Sequence, residues 1–191
     1  MGKLRIPEVL TADERQKLLG SANPRYITGQ RNRAMIALML AAGLRVGEVS
    51  RLRWPDLNMN TGKLHIKESK RKKDRVLWVG DDILAMLQAW SERQEAQGPA
   101  ATGHVFTTSS GGQVAPRYIQ AMMQRLRRRC GIKKQVTPHT LRHTFATDLL
   151  RETKNLRLVQ KALGHSSIKT TEIYTHIADD EMEAALRQFR R

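Results

Sequence analysis

The chain has 191 residues, which is enough to bury the hydrophobic core of one medium-sized domain. Its 34 lysines and arginines against 18 aspartates and glutamates leave a formal net charge of +16, which favours a polyanionic partner. Nucleic acid is favoured over a membrane surface for two reasons. No apolar run in the sequence is long enough to span a bilayer, and the sequence shows no separate basic amphipathic segment that would anchor the chain to a membrane surface.

Residue usage narrows the partner and the compartment. Aromatic residues make up 5% of the sequence, which disfavours binding of single strands by base stacking and favours a DNA duplex as the target. Cys130 is the single cysteine and cannot form an internal disulfide, and residues 1–10 lack the apolar stretch of a signal peptide. We therefore expect a cytoplasmic protein.

The first predicted elements are helices. Thr11-Ala-Asp-Glu14 has the spacing of a capping box and predicts a short helix. Residues 31–42 are apolar nearly all round, which indicates a central buried helix. It ends at the corner Gly43-Leu-Arg-Val-Gly47, and a second helix then runs as far as Trp54-Pro55. Two helices therefore meet at Arg45.

A small antiparallel sheet is predicted next, over residues 63–79. Leu64 and Ile66 alternate with charged neighbours, 76–79 is a second β-rich run, and the basic segment 70–75 joins the two. A short strand-like segment follows at 104–106. Helical spacing and capping residues predict further helices over 81–98, 116–130, 138–152, 155–163, 167–173 and 178–190. The predicted fold class is mainly α with one small antiparallel β-sheet (α+β).

Arg45 is the first candidate site residue. It lies at the glycine-flanked corner between two helices, where a guanidinium can project into a cleft without competing for core space. An ordinary surface arginine beside a helix end would give the same local pattern, so other motifs must support the assignment.

The segment Thr137-Pro-His-Thr-Leu-Arg142 predicts a helix N-terminus, where free backbone N–H groups favour an anion. His139 and Arg142 share one helix face, which places a proton-transfer group beside a phosphate clamp. A structural histidine near a cap is the plainer interpretation of His139. Zinc binding by His139 and His143 is a weaker alternative, because Thr140 stands where zinc hydrolases have glutamate and no third carboxylate ligand follows at helical spacing.

Two further candidates lie near the end of the chain. His165 is in the predicted tight loop Leu163-Gly-His-Ser-Ser167, and Tyr174 follows nine residues later. Tyr174 alone would be interpreted as a half-buried structural tyrosine. The combination of motifs is what favours a site.

Together these motifs resemble those of the tyrosine recombinase, or phage integrase, family, over residues 10–177. The first arginine motif of the family resembles Ala42-Gly-Leu-Arg-Val-Gly-Glu48, and its His-x-x-Arg motif resembles His139-Thr-Leu-Arg142. Its Leu-Gly-His motif resembles Leu163-Gly-His165, and its nucleophile motif resembles Thr171-Glu-Ile-Tyr174. The resemblance implies the fold of a tyrosine recombinase catalytic domain.

The resemblance also implies a reaction, site-specific recombination. Tyr174 would attack a duplex phosphodiester, giving a 3′-phosphotyrosyl bond and a free 5′-hydroxyl, while Arg45 and Arg142 stabilise charge on the nonbridging oxygens. His139 would accept the tyrosine proton, and His165 would donate a hydrogen bond to the phosphate. No metal, ATP or other cofactor is expected, because cationic side chains replace the metal charge and the phosphotyrosine keeps the bond energy.

The catalytic lysine of the family lies in a β-hairpin turn. Here the turn offers Lys70, Lys72 and Lys73, and counting back from Lys73-Asp-Arg75 selects Lys70, which would protonate the departing 5′-oxygen. Other basic residues are expected to contact DNA phosphates without reading bases, although a solvated charged face would give the same pattern. These residues are Arg71, Lys72, Lys73, Arg125, Arg128 and Lys133.

The resemblance implies a domain organisation as well. Residues 1–10 would be a lead-in from an N-terminal DNA-binding domain that this chain lacks, 11–177 the catalytic domain, and 178–191 a tail helix. The apolar stripe from Met182 to Phe189 on that helix must bury against another surface. On DNA the resemblance implies docking on a neighbouring protomer, and in the isolated chain the alternative is docking on its own domain. We expect a monomer in solution, a homotetramer on double-stranded DNA, and a nucleoid-associated protein of a bacterium or phage.

Two alternatives to a recombinase remain. A type IB topoisomerase-like enzyme would use the same chemistry to relax DNA without exchanging strands, although the compact spacing of the motifs favours a recombinase. A DNA-binding regulator with an idle site is disfavoured by the intact set Arg45, His139, Arg142, His165 and Tyr174.

Overall fold

The computed structural model describes residues 8–67, 74–98 and 102–164. Helices dominate these ranges and two short strands form one antiparallel sheet, so the predicted fold class is confirmed. In chain order the elements are α1 (Ala12–Ser21), α2 (Ile27–Ala42), α3 (Val46–Arg51), a 3₁₀ turn (Trp54–Asp56), β1 (Lys63–Ile66), β2 (Arg75–Trp78), α4 (Asp81–Glu95), α5 (Pro116–Arg129), α6 (Pro138–Thr153) and α7 (Leu156–Leu163). The helices predicted over 167–173 and 178–190 lie outside the described residues.

Helix α2 is the centre of the core, as predicted. Met35, Ile36, Leu38 and Met39 are fully buried, because apolar side chains occur on nearly every side of this helix. Helices α4 and α6 pack against it, and α6 thereby brings Arg142 to the C-terminal end of α2. None of the described helices is both long and apolar enough to cross a membrane.

The hairpin of β1 and β2 has the predicted antiparallel pairing, with Lys63 opposite Trp78 and Ile66 opposite Arg75. Ile66 and Arg75 are buried, whereas Trp78 is 65% exposed. One face of the hairpin therefore packs on the protein, and β2 also contacts α7. The basic turn, residues 68–73, lies outside the described residues.

Three predicted boundaries differ from the structure. Helix α2 begins at Ile27 rather than at 31, because its polar first turn gives no hydrophobic period to detect. Helix α4 begins at Asp81 as predicted but ends at Glu95 rather than at 98, and Asp81 lies in the first turn, where its charge suits the helix dipole. Residues 104–106, predicted as a strand, form only an isolated bridge, between His104 and Arg53.

Gly43 makes the sharp corner between α2 and α3. Its backbone has φ 58°, in the left-handed region, and its N–H donates to the carbonyl of Met39 at 3.0 Å. The ring of Phe145 packs directly over the glycine, since a Cβ built there would lie 2.3 Å from Phe145 Cδ1. The corner thus requires glycine for its backbone angle and for its contact with α6.

We expect Gly43→Ala to lower the free energy of unfolding by at least about 2 kcal/mol, because the left-handed backbone strains an L-residue and the Phe145 ring must also move. Gly20→Ala is the matched control. Nothing lies within 4 Å of a Cβ at Gly20, in helix α1, so alanine there should be neutral or stabilising by about 1 kcal/mol. Urea unfolding followed by circular dichroism measures both, and equal effects would contradict the role assigned to the corner.

Candidate active site

Arg45 is held at the start of α3. It is the N-cap of that helix, and its Nη1 donates to Glu48 Oε1 at 2.8 Å. Its Nη2 lies 3.4 Å from the Leu163 carbonyl oxygen and 3.3 Å from the Gly164 carbonyl oxygen, at the end of α7. The side chain keeps 29% of its surface exposed, so an anion can reach the guanidinium.

Arg142 on α6 also donates to the Leu163 carbonyl. Its side chain is buried, with Nη1 donating to the Gly43 carbonyl at 2.6 Å and Nη2 to the Leu163 carbonyl at 2.5 Å. Arg45 and Arg142, assigned from separate motifs, are thus brought together on one acceptor, Leu163. This arrangement concentrates positive charge at the end of α7, in a form that suits an anionic ligand.

Glu48 and Arg75 complete the cluster, and the predicted site included neither. Arg75 on β2 holds Glu48 with two parallel hydrogen bonds, Nη1 to Oε1 and Nη2 to Oε2, both 2.8 Å. Its Nε donates to the Ala162 carbonyl at 2.9 Å. We call Arg45, Glu48, Arg75 and Arg142 the arginine cluster. A glutamate three residues after a helix-capping Arg45 has capping-box spacing, which is the sequence signal that could have identified it.

The Glu48 carboxylate is ionised within this cluster. Burial by itself raises the pKa of the Glu48 carboxyl, but hydrogen bonds and charge from Arg75, with those from Arg45, outweigh burial and lower the pKa below its ordinary value. The arginine cluster therefore contains three guanidinium groups and one carboxylate, and two of those guanidinium groups bond the carboxylate directly. The excess of positive charge suits the cluster to an anionic ligand.

His139 and His143 lie on α6 beside Arg142. Thr137 caps this helix through Thr140 N–H, as predicted, and places exposed His139 in the first turn. Burial, followed by electrostatic repulsion from Arg142 and the neighbouring His139, lowers the pKa of the half-buried His143. His143 is therefore neutral at neutral pH. Within the described ranges, no three metal-ligating side chains are grouped so that they could hold an ion.

Position 164, at the end of α7, requires glycine for its backbone angle and for its close contact with Arg75. It ends α7 with φ 64°, and a Cβ there would lie 3.1 Å from Arg75 Cδ and 3.2 Å from Arg75 Nη1. A larger residue would both strain the backbone and press on Arg75. The last turn of α7 is thus packed against the arginine cluster.

The predicted phosphate contacts fall into two groups. Arg125, Arg128 and Lys133 are exposed on α5 and just after it, and the Arg125 guanidinium lies 5.5 Å from the Tyr118 ring centroid. The neighbouring Arg127 points elsewhere, since its Nη2 donates to the Lys133 carbonyl at 2.9 Å. The remaining predicted site residues lie outside the described ranges: Lys70, Arg71, Lys72, Lys73, His165 and Tyr174.

The sequence model of the phage integrase family matches residues 8–181, so the chain belongs to that family. It is 40% identical to tyrosine recombinase XerC of Xanthomonas campestris pv. campestris over 173 residues, which cover 91% of this chain and 52% of that relative. The chain therefore spans about half the length of this relative.

Solved recombinases have the same fold. The crystal structure of XerA recombinase superposes with a TM-score of 0.84 at 29% identity, covering 98% of this chain and 66% of that one. The XerH site-specific recombinase, in a post-cleavage complex with palindromic difH substrate, gives a TM-score of 0.81 at 27% identity, covering 98% and 54%. The predicted catalytic-domain fold is confirmed.

Glu48→Gln should destabilise the chain by about 3–5 kcal/mol at neutral pH, because buried guanidinium groups lose their counter-charge. Glu14→Gln is the control. The Glu14 ion pair with Lys134 is partly exposed, so its loss should cost about 1 kcal/mol or less. Urea unfolding of the wild type and both variants measures these costs.

The effect of Glu48→Gln should also depend on pH with a defined sign. Folding lowers the pKa of Glu48, so its stabilisation is complete above 4.5, the ordinary glutamate value, and is lost as the pH falls through the lower folded value. The gap between the wild type and Glu48→Gln should therefore narrow below pH 4.5. A gap that stays constant down to acid unfolding would contradict the ionised state of Glu48.

Proposed function

We propose that this chain is the catalytic part of a site-specific DNA recombinase, which cuts and rejoins duplex DNA through a covalent bond between Tyr174 and a strand phosphate. The observation that carries the proposal is the convergence of Arg45 and Arg142 on the Leu163 carbonyl, two residues before His165 in the chain. Membership of the phage integrase family supports the reaction class.

The arginine cluster supports transition-state stabilisation in this proposal. Attack by the Tyr174 hydroxyl oxygen forms a bond to phosphorus and breaks the bond to the 5′-oxygen. Negative charge grows on the nonbridging oxygens as the phosphorus becomes five-coordinate. Arg45 and Arg142 would donate hydrogen bonds to those oxygens, and their placement before substrate arrives lowers the cost of reorganisation.

Proton transfer is assigned to two other side chains, and a hydrogen bond to the phosphate is assigned to a third. A tyrosine hydroxyl is protonated at neutral pH, so Tyr174 needs a base, and exposed His139 on the helix of Arg142 is the proposed one. Lys70 would protonate the departing 5′-oxygen, and His165 would donate a hydrogen bond to the phosphate. The 5′-hydroxyl of a partner strand then attacks the phosphotyrosine and releases the tyrosine.

No metal or ATP enters this scheme. The charges of Arg45 and Arg142 take the place of a metal ion on the nonbridging oxygens. The phosphotyrosine bond conserves the energy of the phosphodiester, so rejoining needs no other energy source. The XerH site-specific recombinase, solved in a post-cleavage complex with palindromic difH substrate, supports double-stranded DNA as the proposed partner.

The exposed basic residues on α5 and just after it are proposed to contact the phosphate backbone of DNA. Arg125, Arg128 and Lys133 would neutralise phosphates and position the duplex, without reading its bases. The basic turn between β1 and β2 would do the same. Arg127 is not among the proposed DNA contacts, because its guanidinium donates to the carbonyls of Ile132 and Lys133 in the turn after α5.

Tyr174→Phe should bind DNA like the wild type and form no covalent adduct, because the ring remains while the nucleophilic oxygen is gone. The probe is a pool of nicked duplexes with a randomised central segment, which traps the adduct and identifies the preferred site. Denaturing gels in EDTA without ATP measure the adduct and test the absence of both requirements. Tyr26→Phe, at a tyrosine that is 69% exposed, is the control. Adduct from Tyr174→Phe would overturn the assignment.

We also propose where the tail of residues 178–191 docks. A groove of about 470 Å³ lies between the C-terminal end of α2, β2, α6 and α7, with Phe145 and Leu149 in its lining. Trp78 and Leu158 at this groove are exposed to 65% and 41%. The proposed occupant is the tail of a neighbouring protomer.

The tail fits the groove in polarity and charge. Its apolar stripe of Met182, Leu186 and Phe189 matches the apolar lining of the groove. The positive charges of Arg187, Arg190 and Arg191 would complement the carboxylate of Glu152 at the groove. Such an exchange would link protomers into a homotetramer on DNA, with a monomer in free solution.

Removal of residues 178–191 should leave adduct formation on a single site intact and reduce synapsis of two sites. Trp78→Ala should do the same, because it removes apolar surface from the acceptor groove. Tyr26→Ala, an exposed aromatic residue on another surface, is the control. Gel-shift assays with one and two sites measure both steps. Unchanged synapsis in both variants would exclude tail docking in trans.

A further inference from the structure

Arg75 is a buried cation that no step of the proposed reaction uses. We propose that Arg75 is a positioning residue that orients Arg45 toward the scissile phosphate by holding Glu48 and the last turn of α7. The inference rests on the proposed function, because it assigns a role within that reaction.

Each oxygen of the Glu48 carboxylate accepts one hydrogen bond from Arg75 and one from Arg45. Oε1 accepts from Arg75 Nη1 and from Arg45 Nη1, each at 2.8 Å. Oε2 accepts from Arg75 Nη2 at 2.8 Å and from the Arg45 backbone N–H at 2.7 Å. The planar fork of Arg75 therefore fixes the plane of the carboxylate, and the carboxylate in turn fixes the guanidinium and backbone of Arg45.

Arg75 also fixes the second support of Arg45. Its Nε donates to the Ala162 carbonyl at 2.9 Å, and its side chain packs under Gly164. The next carbonyls, those of Leu163 and Gly164, face Nη2 of Arg45 at 3.4 and 3.3 Å. One side chain thus holds the partners of both terminal nitrogens of Arg45. A ring of contacts closed this way leaves the guanidinium little freedom to turn.

Two other roles would also make Arg75 important. Arg75 begins β2, directly after the turn that offers Lys70, and could act by placing that lysine. It could also contribute only to stability, because removing one partner of a buried ion pair destabilises the folded protein. The three roles differ in which modified DNA restores cleavage.

The test uses Arg75→Lys, which keeps the charge and loses the fork. On a standard duplex carrying the selected site, we expect cleavage to slow by about 10²-fold, as for a small misplacement of a catalytic group. A methylphosphonate at the scissile position removes one negative charge, and so reduces dependence on Arg45. It should bring Arg75→Lys to within a fewfold of the wild type, as it should for Arg45→Ala. A 5′-bridging phosphorothiolate, whose leaving group needs no proton, should not restore cleavage.

Arg31→Lys is the matched control. Arg31 is buried to a similar degree, 4% exposed against 7% for Arg75, and donates to the Thr107 carbonyl in another part of the core. It should lose stability and keep the wild-type cleavage rate per folded molecule. If Arg75→Lys does not fold, Glu48→Asp withdraws the carboxylate by one methylene and should show the same pattern of restored cleavage.

Each experimental result distinguishes one role of Arg75 from the others. Restoration by the phosphorothiolate would overturn the proposal in favour of lysine placement, and an unslowed Arg75→Lys would overturn it in favour of stability alone. Slowed cleavage that neither modified duplex restores would overturn it as well. A wild-type chain that forms no adduct on any duplex would overturn the proposed function and this inference together.

Discussion

The site depends on one carboxylate. Glu48 is buried and accepts hydrogen bonds from Arg45 and Arg75 on both of its oxygens. Without that negative charge, guanidinium groups would be brought together in a medium of low polarity, and their repulsion would favour opening of the cluster. Glu48 balances part of the charge and leaves an excess. The same group therefore permits the cluster to form and leaves it able to attract an anion.

The charge of the chain is used in two different ways. Arg31, Arg75 and Arg142 are buried and bound to carbonyl or carboxylate groups inside the protein. Arg125 and Arg128 are exposed. The net charge of +16 therefore overstates the charge available to an anionic partner, because part of it holds the fold together. Composition indicated the class of partner and could not separate these roles.

Periodicity and capping predicted the elements that position the site. The apolar helix α2, the Gly43 corner and the Thr137 cap each have a strong local signal, so the elements that carry Arg45 and Arg142 could be predicted before any tertiary contact was known. The two arginines themselves were singled out by the family resemblance, because each local pattern also fits an ordinary surface residue. Arg75 was missed because a basic residue next to a basic turn looks like part of that turn. Its alternation with buried Leu77 is the signal of an inward-facing residue. What it bonds could not be predicted, since Glu48 comes from a distant segment.

Arg142 sits at the C-terminal ends of two helices. It donates to the carbonyl of Gly43, the C-cap of α2, and to that of Leu163, the last residue of α7. Each helix end carries partial negative charge, which offsets the burial of a guanidinium. The electric field at the cluster is thus set partly by backbone and not only by side chains. Fraying of the final turn of α7 would weaken that field and change the affinity of the cluster for an anion, although no charged side chain had changed.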